Sequence, residues 1–196
     1  AWLLLEALRQ CADRERGHAT SLRLTTRPID QGLLEPALRR LGAEELRRQV
    51  LLGGYRLIDR RDHDDHPQAP VVQLATAGAL VPEVLAAAAY LRREGVAVNV
   101  LNLVSPRRLY ERWRAAGDGA ALDWLIPPDE AHAPIVSVHD AASHALAWLG
   151  SVHGAPLTAL GVDRFGQSGG RDELYRAFGL DVESIVAAGF AAADRV

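Results

Sequence analysis

One cysteine, Cys11, stands in 196 residues. A lone thiol excludes an internal disulfide framework and fits a reducing compartment such as the cytoplasm. It is expected on a helix and buried, as free cysteines usually are. Thiolate catalysis would need an activating partner. Positive charge is not in excess either. With 22 Lys and Arg against 25 Asp and Glu, the net charge is -3, which excludes the strongly basic footprint of a nucleic-acid binder. No apolar run approaches the length of a membrane span. The opening Trp2-Leu3-Leu4-Leu5 meets Glu6 at once and has no basic leader, so it does not read as a signal peptide. G-x-G-x-x-G and P-loop motifs are both missing, and with them any evident nucleotide cradle.

What is present is an ordinary apolar content of 48%, enough for a sizeable core. Residues 3–16 read as a helix with Leu4, Leu5, Leu8 and Ala12 on one face. Residues 21–26 alternate as a strand that Pro28 ends. Gly32 to Gly42, with Pro36 inside, reads as a linker holding a short helical turn. Residues 43–52 are helical and stopped by Gly53-Gly54. Beyond them strands are expected at 55–59, 71–76, 96–104, 134–139 and 156–162. Helices are expected at 82–94, 106–116, 143–153, 171–178 and 182–194. Strands alternating with helices mean a mostly parallel sheet covered on both faces.

Four stretches invite chemistry. His63-Asp64-Asp65-His66 resembles a metal cluster in type only; it sits in a proline-bounded loop without a scaffold to preset ligands, and reads as a solvated surface. Gly166-Gln167-Ser168-Gly169-Gly170 matches the nucleophile elbow. No histidine follows Ser168, so the hydrolase reading fails. The turn is then a tight connection in which Ser168 caps the next helix, and Ser168, Gly169 and Gly170 offer N–H groups to an anion. His139 and Asp140 end a strand, where open α/β sheets gather ligands. Glu83 opens a helix at the same edge, and its plainest role there is to complement the helix dipole.

The order of several blocks resembles the C-terminal part of transketolase-type thiamine diphosphate enzymes. Leu22-Arg-Leu-Thr-Thr-Arg27 resembles the last strand of their pyrimidine-binding domain. Gly53-Gly-Tyr-Arg-Leu-Ile-Asp59 resembles the opening strand of the C-terminal domain, and Leu74-Ala-Thr-Ala-Gly78 the next strand and turn. Phe165-Gly-Gln-Ser168 with Leu174 and Phe178-Gly179 is the most specific block. Within the family Arg171 and the stretch from Ser105 through Leu109 and Trp113 look closest to the homodimeric pyruvate dehydrogenase component. Gly53-Gly54-Tyr55 matches transketolase as well.

The resemblance implies a three-layer α/β/α sandwich with a five-stranded, mostly parallel sheet and one antiparallel edge strand. It implies a remnant of the pyrimidine-binding domain at 1–32, a linker at 33–52 and the C-terminal domain at 53–196. The parent would use thiamine diphosphate and Mg²⁺ to decarboxylate a 2-oxo acid and pass the acyl group to lipoyl. Its partners would be the upstream thiamine-binding domains, a second copy in a homodimer, and the lipoyl acyltransferase component. Nucleic acid and membrane are not expected partners. The alternatives are a transketolase, moving a ketol group between sugar phosphates, and a stand-alone regulatory domain binding an anion at 166–170.

Gly117-Asp118-Gly119 resembles the start of the family's diphosphate motif, but the only asparagines, Asn99 and Asn102, lie upstream of it. The motif is therefore incomplete, no catalytic residue is expected in this chain, and the chain alone is expected to bind no cofactor. Arg27 matches an arginine that in transketolases faces the substrate phosphate; an arginine suits a carboxylate equally. Glu83 stands where pyruvate dehydrogenases of this type place an active-site histidine. Arg27, Glu83, His139 and Asp140 are thus the candidates for the substrate pocket.

Overall fold

Gln73, Asn99 and Arg56 are polar residues set inside apolar strands, and all three are buried. They lie in a five-stranded sheet described by a computed structural model covering residues 1–63 and 68–195. The strands are β1 (Tyr55–Ile58), β2 (Val71–Ala77), β3 (Ala97–Asn102), β4 (Ile135–His139) and β5 (Leu157–Leu160). Their spatial order is β1-β3-β2-β4-β5. Three pairings are parallel, and β1 runs antiparallel to β3 at one edge, with a register shift between Arg56 and Ile58. That is the expected sandwich, with its antiparallel edge strand.

The helices are α1 (Trp2–Ala12), α2 (Glu35–Leu52), α3 (Val81–Arg93), α4 (Pro106–Ala116), α5 (Gly150–His153), α6 (Arg171–Phe178) and α7 (Val182–Ala193). Side chains alternate along the buried strands, so each strand feeds both cores. Val72, Leu74, Val98, Val100, Val136 and Val138 face α2, α3 and α7. Leu101, Leu103 and Ile135 face the other way, against Leu109 of α4 and residues 122–126 and 146–152. Gly189 of α7 lets that helix seat on α3: a Cβ there would stand 2.5 Å from Leu91 Cδ1.

Several expectations need correction. Residues 21–26 form no strand; their backbone has no ladder partner among the described residues, and Leu24 is 81% exposed. The first helix stops at Ala12, because the Asp13 carboxylate accepts the N–H groups of Glu15 and Arg16 and turns the chain. Cys11, expected to be buried, is exposed. Ala7 is buried and Trp2 and Leu3 pack on the core, whereas Leu4, Leu5 and Leu8 are exposed. The supposed linker is largely helix: Pro36 fits the first turn of α2, and the break falls at Gly42, whose φ of 75° is left-handed. The stretch 143–149 is a 3₁₀ helix that becomes α-helical only over 150–153. The segment Asp64, Asp65, His66 of the His-rich loop lies outside the described residues.

One carboxylate organises the N-terminal end of the sheet. Glu130 is 3% exposed. It accepts from Arg56 Nη2 at 2.5 Å, Arg60 Nε at 2.5 Å and Asn99 Nδ2 at 3.0 Å. Its backbone carbonyl takes the Gln73 amide at 3.2 Å. Asp59 adds a second negative charge 3.2 Å from Arg56 Nη1, without hydrogen-bond alignment. A buried charge is tolerated only with such pairing.

Two stability outcomes follow. Replacing Glu130 by Gln should lower unfolding free energy by about 3–5 kcal/mol, since it strands buried guanidinium charge; a urea denaturation curve moved by less than a third of that would show the network to be dispensable. Gly189→Val should cost roughly 1–3 kcal/mol by forcing α7 off α3, read as a lower Tm, and an unchanged Tm would show that Leu91 can turn aside freely.

Candidate functional site

The carboxyl ends of β2, β3 and β4 open onto one edge, away from the Glu130 network. Such an edge is where an open α/β sheet exposes strand ends and helix N-termini to a ligand. Gly78 follows β2 with φ of 70°, a left-handed turn that glycine adopts without a steric penalty. The turn leads directly into α3 and lifts Glu83 into its first turn.

Glu83 does not merely face the helix dipole. Arg27, from the irregular segment before α2, donates from Nη1 to Glu83 Oε1 at 2.6 Å and to the Ala79 carbonyl at 3.3 Å. Its side chain is 24% exposed and that of Glu83 13%. The bond to Glu83 raises the Arg27 guanidinium above its ordinary value. Tyr175 of α6 stands beside the pair. Burial, and then the charge of Glu83, push its hydroxyl up, so it stays protonated.

His139 and Asp140 occupy the end of β4. Burial holds the imidazole of His139 below its ordinary value, against the pull of Asp140. It is neutral near pH 7, its Nδ1 is buried without a partner, and its Nε2 is 3.8 Å from Asp140 Oδ1, too far for a hydrogen bond. Asp140 is held instead by Arg23 Nη2 at 3.1 Å.

Two cavities share this edge. One of about 610 Å³ is lined by Arg27, Thr25, Asp30, Tyr55 and Asn102 above an apolar floor that includes Leu57 and Val81. The other, about 530 Å³, is lined by Arg23, Thr25, Thr26, His139 and Asp140. Gly78 and Thr25 border both. Of the four pocket candidates, Arg27 borders the first space and His139 and Asp140 the second, while Glu83, bonded to Arg27, is among the lining residues of neither. Sequence reasoning missed Arg23 and Tyr175. Arg23 reads as the outward residue of an alternating stretch, and nothing local signals its partner more than a hundred residues away.

The glycine turn at 166–170 stands apart from this edge's cavities. Ser168 takes no part in capping α6; Gly170 is the N-cap, and the Glu173 carboxylate accepts its N–H at 2.9 Å. Ser168, Gly169 and Gly170 are exposed. Glu173 Oε2 would lie 3.1 Å from a Cβ at Gly169. A carboxylate already fills the position an anion would take, and it repels a second negative charge.

Nor do these residues fit the thiamine diphosphate and Mg²⁺ that the resemblance implies. Gly117 ends α4 in a left-handed turn, Asp118 is an exposed residue after it, and a Cβ at Gly119 would strike His153. Among the described residues no group of three or more His, Cys, Asp or Glu is placed to hold a metal.

Comparison with known proteins places the fold in a family. The family model for the transketolase-like TK C-terminal domain matches residues 53–181. Transketolase 10 of Craterostigma plantagineum is 35% identical over 138 residues, 69% of this chain and 18% of that protein. The chromosomal transketolase of Cupriavidus necator is 34% identical over 142 residues, again 18% of its length. Among solved structures, transketolase from Leishmania mexicana superposes with a TM-score of 0.55 at 27% identity, covering 76% of this chain and 19% of that one. The chain thus spans less than a fifth of the curated relatives it matches. The fold, the matched span and these identities agree, and the chain belongs to the transketolase C-terminal domain family.

Proposed function

We propose that this chain is the C-terminal part of a transketolase, an enzyme that moves a ketol group between sugars with thiamine diphosphate and a divalent metal. The observation that carries the reading is the family match over residues 53–181. The relatives named above are transketolases. They favour ketol transfer over decarboxylation of a 2-oxo acid, and leave the lipoyl acyltransferase partner without support.

In this reading residues 1–32 are the tail of the pyrimidine-binding domain, 33–52 the connection, and 53–196 the C-terminal domain. The thiamine-binding domains belong to the rest of the parent, which works as a homodimer in the cytoplasm. The chain's own contribution is a wall of the substrate pocket: Arg27 with Glu83 on one side of Gly78, His139 with Asp140 on the other. Neutral His139 and the hydroxyls of Thr25 and Thr26 suit a polyhydroxylated substrate, which needs donors and acceptors along its length. In this reading the chain shapes a site rather than runs a reaction.

The test is an assay of the intact parent with thiamine diphosphate and Mg²⁺. Ketol transfer between sugar phosphates is expected, with no 2-oxo acid-dependent reduction of an artificial electron acceptor. Acceptor reduction without ketol transfer would overturn the transketolase reading. The isolated chain should show neither activity and should not bind thiamine diphosphate tightly; saturable binding by calorimetry would overturn its role as a silent wall.

A further inference from the structure

One surface of the domain carries chemistry that neither the core nor the sheet edge uses. Arg107, Tyr110 and Arg114 of α4 follow one another at i, i+3 and i+7, so they lie along one stripe of the helix. All three are exposed, Tyr110 by 40%. Behind Tyr110 stand two indoles. Trp113 of α4 and Trp148 of the 143–149 stretch stack with ring centroids 5.8 Å apart at 24°. Tyr110 meets both edge-on, at 5.9 and 5.5 Å. The indoles pack against the core beneath α4 and hold the tyrosine ring at the surface.

The hydrogen-bonding character of this face is lopsided. The Nε1 atoms of Trp113 and Trp148 have no hydrogen-bond partner among the described residues, and neither is sealed from solvent. An indole N–H and a guanidinium only donate. Arg114 has no ion-pair partner among the described residues, and Arg107 shares Glu111 at 2.7 Å in an exposed pair. As a whole α4 holds four arginines against one glutamate, a net +3 on a chain whose net charge is -3. An occupant must therefore bring acceptors and negative charge. A second copy does not, because two such helices face to face repel. Nucleic acid is poorly suited to a chain acidic overall, whereas a short acidic segment needs the stripe alone. Tyr, Trp and Arg are also the residues that most often carry the energy of protein–protein contacts.

We propose that the α4 face around Tyr110 is a docking surface for an acidic segment of a partner protein. Carboxylates of the segment take the Arg107 and Arg114 guanidinium groups and the two indole N–H groups, and an apolar side chain between them lies on the Tyr110 ring. The surface is separate from both cavities of the substrate edge, so docking there is independent of ketol transfer.

Tryptophan fluorescence of the 196-residue chain reads the docking directly, because the platform holds two of its four tryptophans. The probe is a capped peptide of alternating glutamate and leucine. The signal should saturate below about 1 mM peptide, and the affinity should fall as salt is raised. The same peptide with glutamine in place of glutamate should bind at least about tenfold more weakly. Tyr110→Ala and Arg114→Glu should each weaken the acidic peptide about tenfold, as loss of a central contact does. Arg171→Glu, exposed on α6, which packs on the other core, should bind as wild type does. Circular dichroism reports whether Tyr110→Ala folds; if it does not, Arg114→Glu, exposed and unpaired, decides. Absence of saturation, an affinity unchanged by Arg114→Glu, an equal loss in Arg171→Glu, or equal binding of a single-stranded oligonucleotide would each overturn the proposal. So would self-association in sedimentation that Tyr110→Ala abolishes, since a second copy would then be the occupant.

Discussion

A carboxylate sealed from water has to be surrounded by donors, and much of this domain's edge is arranged around that requirement. Glu130 draws Arg56 from β1, Arg60 from the turn after it, Asn99 from β3 and, through its backbone, Gln73 from β2. Without those partners β1 would have little reason to lie against β3 with Arg56 turned inward. The edge strand is only Tyr55–Ile58, too short to be held by its ladder bonds alone. Tyr55 and Leu57 bury on one face while Arg56 anchors the other. The antiparallel edge is thus fixed by polar chemistry on one side and apolar packing on the other.

The central strands were legible in the sequence because they are buried on both faces. Residues 71–76 read as a nearly continuous apolar run, and such a run leaves little room for another interpretation. Residues 21–26 misled for the complementary reason. Alternation states that a segment suits a strand but not that a partner strand exists beside it. On α1, Leu4, Leu5 and Leu8 form a good stripe, yet Trp2, Leu3 and Ala7 are the residues that pack on the core. The polar residues inside strands, Gln73, Asn99 and Arg56, were the available signal for the Glu130 network. A buried polar residue announces a partner, although it does not say which one.

The candidate pocket was half legible. Arg27, Glu83, His139 and Asp140 could each be placed at the ligand-bearing edge from strand ends and family likeness. Their pairing could not. Arg27 reaches Glu83, and Arg23 reaches Asp140 across 117 positions, and contacts of that range follow from the packed fold rather than from any local pattern. Ser168 was misjudged as a cap because Glu173, three residues into α6, supplies the acceptor from inside the helix.

The two ends of the parallel strands have been given different tasks. The Glu130 cluster braces the end where the strands begin, and the candidate pocket side chains gather where they finish, on the far side of a well-filled core. Substitutions far apart and without shared partners combine almost additively. A lineage carrying this domain is therefore free to rewrite the far edge residue by residue while its stability reserve stays intact, so that changes there can be explored in small steps without first risking the fold.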